Sequence, residues 1–206
     1  METIGGADYR RIMDFRQIKR GKENIDIITQ DTIDKMVCVK LFESSAMNKR
    51  LHELSQKVMR LSMKKNQSRE VGLYWDLETD KPYYVFGSKN SISLKDKPEI
   101  RQIVDEGCYN SIVFIHNHPR NGLFSSVDLR SFVENHSIFA MLAIGNDGNI
   151  HMMRKEKEFD SYKILLTYNE NAGKDEYSGI KKVIKLSKKL GITYRFSTRR
   201  REQHEK

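Results

Sequence analysis

The sequence contains little of what is typical of secreted or membrane-embedded proteins. Only two of its 206 residues are cysteines, and Cys38 and Cys108 form no C-x-x-C pair or disulfide-dense pattern, which fits a reducing cytoplasm. Both thiols are interpreted as buried and apolar. The longest apolar run, Ile138 to Ile144, is too short to cross a bilayer, and the N-terminal stretch lacks the apolar core of a secretory signal. We therefore expect a cytoplasmic protein without a membrane segment.

Charge is abundant but unevenly distributed along the chain. Charged residues make up 32% of the sequence, hydrophobic residues 38%, and the net charge is +9. Residues 66–155 carry 10 positive and 11 negative charges, whereas residues 1–65 carry 14 and 9, and residues 174–206 carry 11 and 4. A near-neutral centre between two basic ends argues against a nucleic-acid groove in the middle, and predicts any contact with an anionic partner at the ends.

The hydrophobic pattern predicts a mixed α/β (α+β) domain over residues 36–155. Period-two and helical periodicities alternate along this range. They predict a strand at 36–42, a helix at 47–61 capped by Ser44 or Ser45, paired strands at 69–77 and 82–87, a helix at 98–106, a strand at 111–118, a helix at 125–135 and a hairpin turning at 146–149. Residues 1–35 are interpreted as a polar N-terminal extension that includes a short helix near 31–36. Residues 156–206 are interpreted as a basic helical C-terminal extension, with helices at 156–169 and 175–190.

Two of the six histidines lie one residue apart at the end of the predicted strand 111–118. Side chains two residues apart in a strand point to the same face, so His116 and His118 lie about 7 Å apart along the backbone. Asp128 falls in the first turn of the next helix if Ser125 is its N-cap. A catalytic zinc commonly takes three protein ligands and leaves a fourth position for water. The pattern therefore favours a zinc site made by the two histidines and the aspartate.

A structural interpretation of the same residues stays open. Ser125-x-x-Asp128 is also the reciprocal capping pattern of a helix N-terminus, which needs no metal. The two roles are compatible, because a carboxylate has two oxygens. The remaining histidines, which include His136 and His151, are assigned no metal-binding role.

Hydrolysis also requires a base, and Glu70 is the candidate. It stands at the head of an otherwise apolar strand, where a glutamate contributes nothing to packing. A carboxylate beside activated water can take its proton and pass it to a leaving nitrogen. The alternative is a solvated strand end, paired with Arg69 or Lys65.

Taken together, these residues resemble the JAMM (MPN+) metalloprotease family over about residues 36–155. The resemblance lies in the order of the elements and in three motifs, Glu70, His116-x-His118-Pro119 and Ser125-x-x-Asp128. Six residues separate His118 from Ser125, where the common family pattern has seven. The His-Asn-His-Pro form is similar to bacterial and phage members, including RadC-like proteins.

The resemblance implies a cytidine-deaminase-like mixed sheet flanked by helices, with one zinc ion per chain. His116, His118 and Asp128 would bind the zinc, and Glu70 would be the general base. Ser125 would donate a hydrogen bond to the water or to the oxyanion of the tetrahedral intermediate.

Three functions follow as alternatives. The first is a zinc-dependent peptidase or isopeptidase that hydrolyses a peptide or isopeptide bond in a protein substrate, including bonds next to a ubiquitin-like modifier. The second is a RadC-like accessory protein of DNA repair or mobile elements that binds nucleic acid through its basic ends. The third is a non-catalytic scaffold, and the complete set of ligands and base counts against it.

Overall fold

Six strands form one mixed sheet in the computed structural model, which describes residues 25–89, 91–120, 122–173 and 175–198. In chain order the strands are β1 (Val71–Asp76), β2 (Lys81–Phe86), β3 (Ile112–His118), β4 (Ile138–Gly145), β5 (Ile150–Lys155) and β6 (Ile192–Ser197). Their order across the sheet is β2-β1-β3-β4-β5-β6. The central pair β3 and β4 is parallel, and the other neighbouring pairs are antiparallel. The mixed α/β class is therefore confirmed.

Six helices accompany the sheet within the same described ranges. They are α1 (Gln30–Asp34), α2 (Ser45–Lys65), α3 (Pro98–Asp105), α4 (Ser126–Glu134), α5 (Ser161–Asn171) and α6 (Glu176–Lys185), followed by a 3-10 turn at Ser187–Leu190. The Ser44 hydroxyl caps α2 by accepting a hydrogen bond from the Met47 N–H at 3.3 Å. The predicted helices at 47–61, 98–106 and 125–135 are confirmed within a few residues.

Helices cover both faces of the sheet, and strand alternation separates two hydrophobic clusters. Trp75, Val113 and Ile115 point to the face covered by α2. Tyr74 and Phe114 point to the opposite face, which is covered by α4, α5 and α6. Every residue of β3 is buried, as expected for a central strand between two helical layers. The histidines at the end of β3 therefore lie in the interior rather than on an open sheet face.

The strand predicted at residues 36–42 is wrong. Side chains, rather than a neighbouring strand, bind its backbone. The Asn48 Oδ1 accepts hydrogen bonds from the N–H groups of Leu41 and Phe42 at 2.8 and 2.9 Å. Arg154 donates to the Leu41 carbonyl at 3.2 Å. The segment is apolar because it packs against the α2 face of the sheet, and an apolar run alone does not separate that case from a strand.

The region after residue 155 contains a strand that the sequence pattern did not predict. α5 begins at Ser161 rather than at 156, because the Asp160 carboxylate caps it by accepting from the Lys163 N–H at 3.0 Å. Gly191, with φ of 67°, then turns the chain into β6, and a Cβ there would lie 2.3 Å from the Glu158 carbonyl. β6 pairs with β5 and extends the sheet. The sequence Ile-Thr-Tyr-Arg-Phe alternates apolar and polar residues, as a strand does. The many basic residues around it made this pattern hard to recognise.

Residues 156–198 share the core of the sheet. Their buried apolar side chains pack in the same cluster as Phe114 and Tyr74, and they include Ile164, Leu165, Tyr168, Ile180, Val183, Leu190 and Ile192. At the other end, residues 25–35 contain α1 and bury Ile28 and Ile33. The polar segment 1–24 and the arginine cluster at 199–201 lie outside the described residues.

Cys38 and Cys108 are both exposed, so the prediction of buried thiols is wrong. Each lies in a connecting segment, one before α2 and the other between α3 and β3. Among the helices of the described ranges, none has the length and apolar content that a membrane crossing requires.

A buried lysine lies at the end of β5 farthest from the paired histidines. Lys155 is 3% exposed, and its Nζ donates to the Asn135 carbonyl at 2.6 Å near the end of α4. The amine also lies 5.3 and 4.9 Å from the ring centroids of Phe132 and Phe159. Burial lowers the pKa of Lys155 to about 8.

Replacing Lys155 by methionine removes this titration and keeps much of the apolar stem. Because the folded-state pKa lies below the ordinary 10.5, the unfolded chain binds more protons between these values, and stability rises with pH there. We will compare the free energies of unfolding of the wild type and Lys155→Met, measured by urea denaturation. We expect the difference between them to change by about 2 kcal/mol in favour of the wild type from pH 7 to pH 10. A difference that is the same at both pH values would contradict this titration.

Candidate metal centre

The two histidines and the aspartate converge where β3 ends. His116 and His118 occupy alternate positions of β3 and point to the face covered by α4. The chain then turns back, and α4 begins so that Asp128 lies in its first turn. The segment between His118 and Ser125 is therefore long enough to bring the carboxylate over the strand end.

The three donor groups have the spacing of ligands around one small cation. The two Nε2 atoms lie 2.9 Å apart. His116 Nε2 lies 3.3 Å from Asp128 Oδ1, and His118 Nε2 lies 3.2 Å from Asp128 Oδ2. Tetrahedral bonds of about 2.0–2.1 Å place neighbouring donors about 3.3 Å apart. A divalent cation would accept lone pairs from all three groups at once, so the residues fit such an ion.

Asp128 is held by a complete capping box. The Ser125 N–H and the Ser125 hydroxyl both donate to Asp128 Oδ2, each at 2.6 Å. The Asp128 N–H in turn donates to the Ser125 hydroxyl oxygen at 3.1 Å. The same carboxylate therefore caps α4 and faces both histidines, as its two oxygens permit.

Both imidazole rings are held by their surroundings. The His118 Nδ1 lies 3.3 Å from the Gly122 carbonyl, which can only accept, so Nδ1 is the donor in this contact. A neutral ring with its proton on Nδ1 would offer the Nε2 lone pair to a cation. The His116 ring stacks on Phe114 with centroids 4.7 Å apart, and Phe114 stacks on Tyr74 at 4.3 Å. The rings are thus oriented before any ligand binds.

Charge and burial set the protonation states around the cluster. Burial alone would raise the pKa of Asp128, but the adjacent His116 and His118 hold it well below its ordinary range. Burial, together with the Asp128 charge, raises the pKa of the Tyr74 hydroxyl above its ordinary value. The carboxylate of the centre is therefore ionised, whereas the Tyr74 phenol stays protonated.

Glu70 lies at the same end of the sheet as the histidines. It directly precedes β1 and is only 5% exposed, so the alternative of a solvated strand end is wrong. β1 pairs with β3 so that Gly72 lies opposite His116, and residues two apart share a face. Glu70 is therefore on the face of the two histidines, one strand away. A Cβ at Gly87 would lie 3.2 Å from the Glu70 Cβ, so β2 flanks it on the other side.

His151, which is assigned no metal-binding role from the sequence, lies on the same sheet face as the histidine pair. The strand register aligns Gly72, His116, Ala143 and His151 across four strands, so His151 lies on the same face, two strands from His116. Its Nδ1 lies 2.8 Å from the Tyr194 hydroxyl, and burial, followed by the effect of His118, lowers the pKa of His151 to about 4. Only the strand pairing reveals this position, since the residues are far apart in sequence.

The candidate centre comprises a set of converging donors and a buried glutamate on one sheet face. Comparison with protein-family models, with curated proteins and with solved structures finds no significant match for this chain. The function is therefore inferred from the chemistry of these side chains.

Removing a donor tests the centre directly. We expect purified wild-type protein to take up close to one equivalent of Zn²⁺ or Co²⁺, and zinc at 100 times its dissociation constant to stabilise the fold by about 2.7 kcal/mol. His118→Ala and Asp128→Ala should lose most of this uptake and the associated shift in melting temperature. His136→Ala, at an exposed histidine outside the cluster, is the control and should bind metal normally. Equal uptake by all four proteins would mean that the metal binds elsewhere.

Proposed function

We propose that this protein is a zinc-dependent peptidase or isopeptidase of the JAMM (MPN+) type that hydrolyses a bond in a protein substrate. The observation that carries the proposal is the convergence of two histidine nitrogens and an aspartate carboxylate within 3.3 Å, with the buried Glu70 on the same sheet face one strand away. Buried titratable groups cluster at functional sites, and a carboxylate near a metal-bound water can transfer its proton. The two exposed, free cysteines suit the proposed cytoplasmic location.

His116, His118 and Asp128 would hold the zinc. Zinc in such a site supplies Lewis acidity, which activates water near neutral pH and polarises a carbonyl oxygen. Glu70 takes a proton from the attacking water as the new carbon–oxygen bond forms. It then delivers that proton to the nitrogen as the carbon–nitrogen bond breaks, so the products are a carboxylic acid and an amine.

Ser125 has a second role in this proposal. Its N–H and its hydroxyl donate to the same oxygen of Asp128. Because the N–H alone continues to hold Asp128, the hydroxyl can turn toward the developing oxyanion of the substrate. One such donor can contribute about 3 kcal/mol to transition-state stabilisation.

The substrate class follows from the resemblance and not from the geometry of the site. A peptide or isopeptide bond in a protein tail is proposed, including a bond that joins a ubiquitin-like modifier to its target. An isopeptide-linked diubiquitin and a fluorogenic peptide library are suitable first probes, because they separate the two bond types.

Glu70→Gln tests the proposed base. The amide has nearly the same shape but cannot accept a proton, so we expect kcat to fall by about 10²–10⁴-fold. The metal content, measured by atomic emission, should stay at the wild-type level, because Glu70 is not one of the converging donors. Peptide hydrolysis is followed by mass spectrometry.

Glu78→Gln is the matched control for this experiment. Glu78 is an exposed glutamate just beyond the opposite end of β1, so its replacement should leave hydrolysis unchanged. Wild-type cleavage by Glu70→Gln would rule out this base, whereas the absence of cleavage by metal-loaded wild type on both probes would count against the peptidase proposal itself.

A second candidate function is nucleic-acid binding, and a group of exposed lysines favours it. Five lysines of α6 and the following 3-10 turn are exposed, namely Lys181, Lys182, Lys185, Lys188 and Lys189. Ile180 and Val183 are buried on the other side of α6. Phosphate contacts from such a surface would make binding steeply salt-dependent.

Reversing the charge of Lys181, Lys182 and Lys188 to glutamate tests this second function. We expect retention on duplex DNA at low salt to be lost, because the lysine–phosphate contacts are removed. Each such contact contributes about −0.9 to the slope of log K against log salt concentration. The matched control reverses Lys57, Lys64 and Lys65, which are exposed on α2 on the other side of the sheet. Equal loss in both triple variants would indicate a nonspecific effect of net charge.

A further inference from the structure

Asn117 stands between the two histidines in β3, and its side chain points to the opposite face of the sheet. It is fully buried. We propose that Asn117 is a positioning residue that fixes the main chain of Glu70 relative to the paired histidines. The catalytic consequence rests on the proposed function, whereas the structural role does not.

The carboxamide of Asn117 bonds to the main chain on both sides of Glu70. Its Oδ1 accepts from the Val71 N–H at 2.7 Å. Its Nδ2 lies 3.2 Å from the Arg69 carbonyl oxygen, to which it donates. One side chain therefore holds the two peptide groups that flank the proposed base. A carboxamide combines an acceptor and a donor in one plane, which neither an apolar residue nor a carboxylate can do.

The segment that leads into Glu70 has a conformation that requires support. Gln67 and Ser68 have φ angles of 53° and 59°, in the left-handed region that residues other than glycine rarely adopt. Such a conformation persists only where surrounding contacts impose it. The Ser68 carbonyl accepts from Asn146 Nδ2 at 2.8 Å, and the Ser68 hydroxyl accepts from the Ile28 N–H at 3.1 Å.

Asn117 connects these supports into one buried network. Its Nδ2 donates to Asn146 Oδ1 at 2.8 Å and lies 3.1 Å from the Ser62 hydroxyl of α2. The Ser62 hydroxyl donates to the same Arg69 carbonyl at 2.5 Å. The turn after β4, the end of α2 and the start of β1 are thus tied to the residue between the two histidines. Buried networks of this kind hold a single arrangement when their members are satisfied.

The three consecutive residues 116–118 therefore have different roles on the two faces of β3. His116 and His118 direct their rings to one face of β3, and the Asn117 side chain, on the other face, holds the segment around Glu70 that leads into β1. The relative position of base and histidines is then set by one strand. Misplacement of a reacting group by about 1 Å can cost about 100-fold in rate.

Amide hydrogen exchange tests the structural role without any assay of activity. In Asn117→Ala the Val71 N–H loses its acceptor, so we expect its exchange to accelerate at least about tenfold more than that of Leu142 in β4. Leu51→Ala is the matched control, because it truncates a buried residue of α2 in the hydrophobic cluster that contains Val71 and Leu142, and Leu51 is outside this network. That control should accelerate both amides by the same factor. An unchanged ratio of the two rates in Asn117→Ala would overturn the proposal.

A double-mutant cycle tests the catalytic consequence. With the substrate cleaved by wild type, we expect Asn117→Ala to lower kcat by about 10- to 100-fold with an unchanged metal content and a nearly unchanged KM. If Asn117 acts through Glu70, the same substitution has no further effect on the residual rate of Glu70→Gln. Additive losses would overturn the proposal. If wild type cleaves nothing, the peptidase proposal fails and the exchange experiment still decides the role of Asn117.

Ser62→Ala provides a milder variant if Asn117→Ala does not fold. It removes one partner of Asn117 and one donor to the Arg69 carbonyl, and leaves the bond to Val71 in place. We expect a several-fold lower kcat with unchanged metal content. Wild-type kcat in Ser62→Ala, combined with an unfolded Asn117→Ala, would mean that the network serves stability alone.

Discussion

The paired hydrogen bonds between Ser125 and Asp128 are the interaction on which the candidate centre depends. They begin α4 and also hold the carboxylate within 3.3 Å of both histidine nitrogens. A free aspartate would keep its rotamer entropy and its hydration, and both would oppose its placement beside buried rings. The helix cap already restrains this side chain for a structural reason, so a metal would bind to a preformed donor set.

β3 organises the rest of the molecule around that donor set. Its parallel pairing with β4 and antiparallel pairing with β1 bury it on both edges, and helices cover both of its faces. The side chains of His116 and His118 therefore point into the packed layer on one face of β3, and that of Asn117 points into the packed layer on the other face. Because packed interiors resist small displacements, the positions of the rings and of the Glu70 segment are coupled through the sheet.

The region after β5 contributes to the core and to the candidate centre. α5 and α6 bury the face of the sheet that carries the histidines, and β6 brings Tyr194 to His151 at 2.8 Å. The exposed lysines of α6 thus belong to an element that is packed on this core.

The sequence by itself determined the features that depend on local chemistry. These are the placement of His116 and His118 on one face of a strand, the helix cap at Ser125, the amphipathic helix α2 and the strands between residues 69 and 155. Each of them depends on residues a few positions apart in the chain. Only the tertiary structure decided that Asp128 faces both rings, that Glu70 is buried, that residues 36–42 are not a strand and that Ile192–Ser197 is one. The physical reason is that strand pairing and burial join residues far apart in the chain, such as Val71 and Asn117, and a local pattern carries no record of that partner.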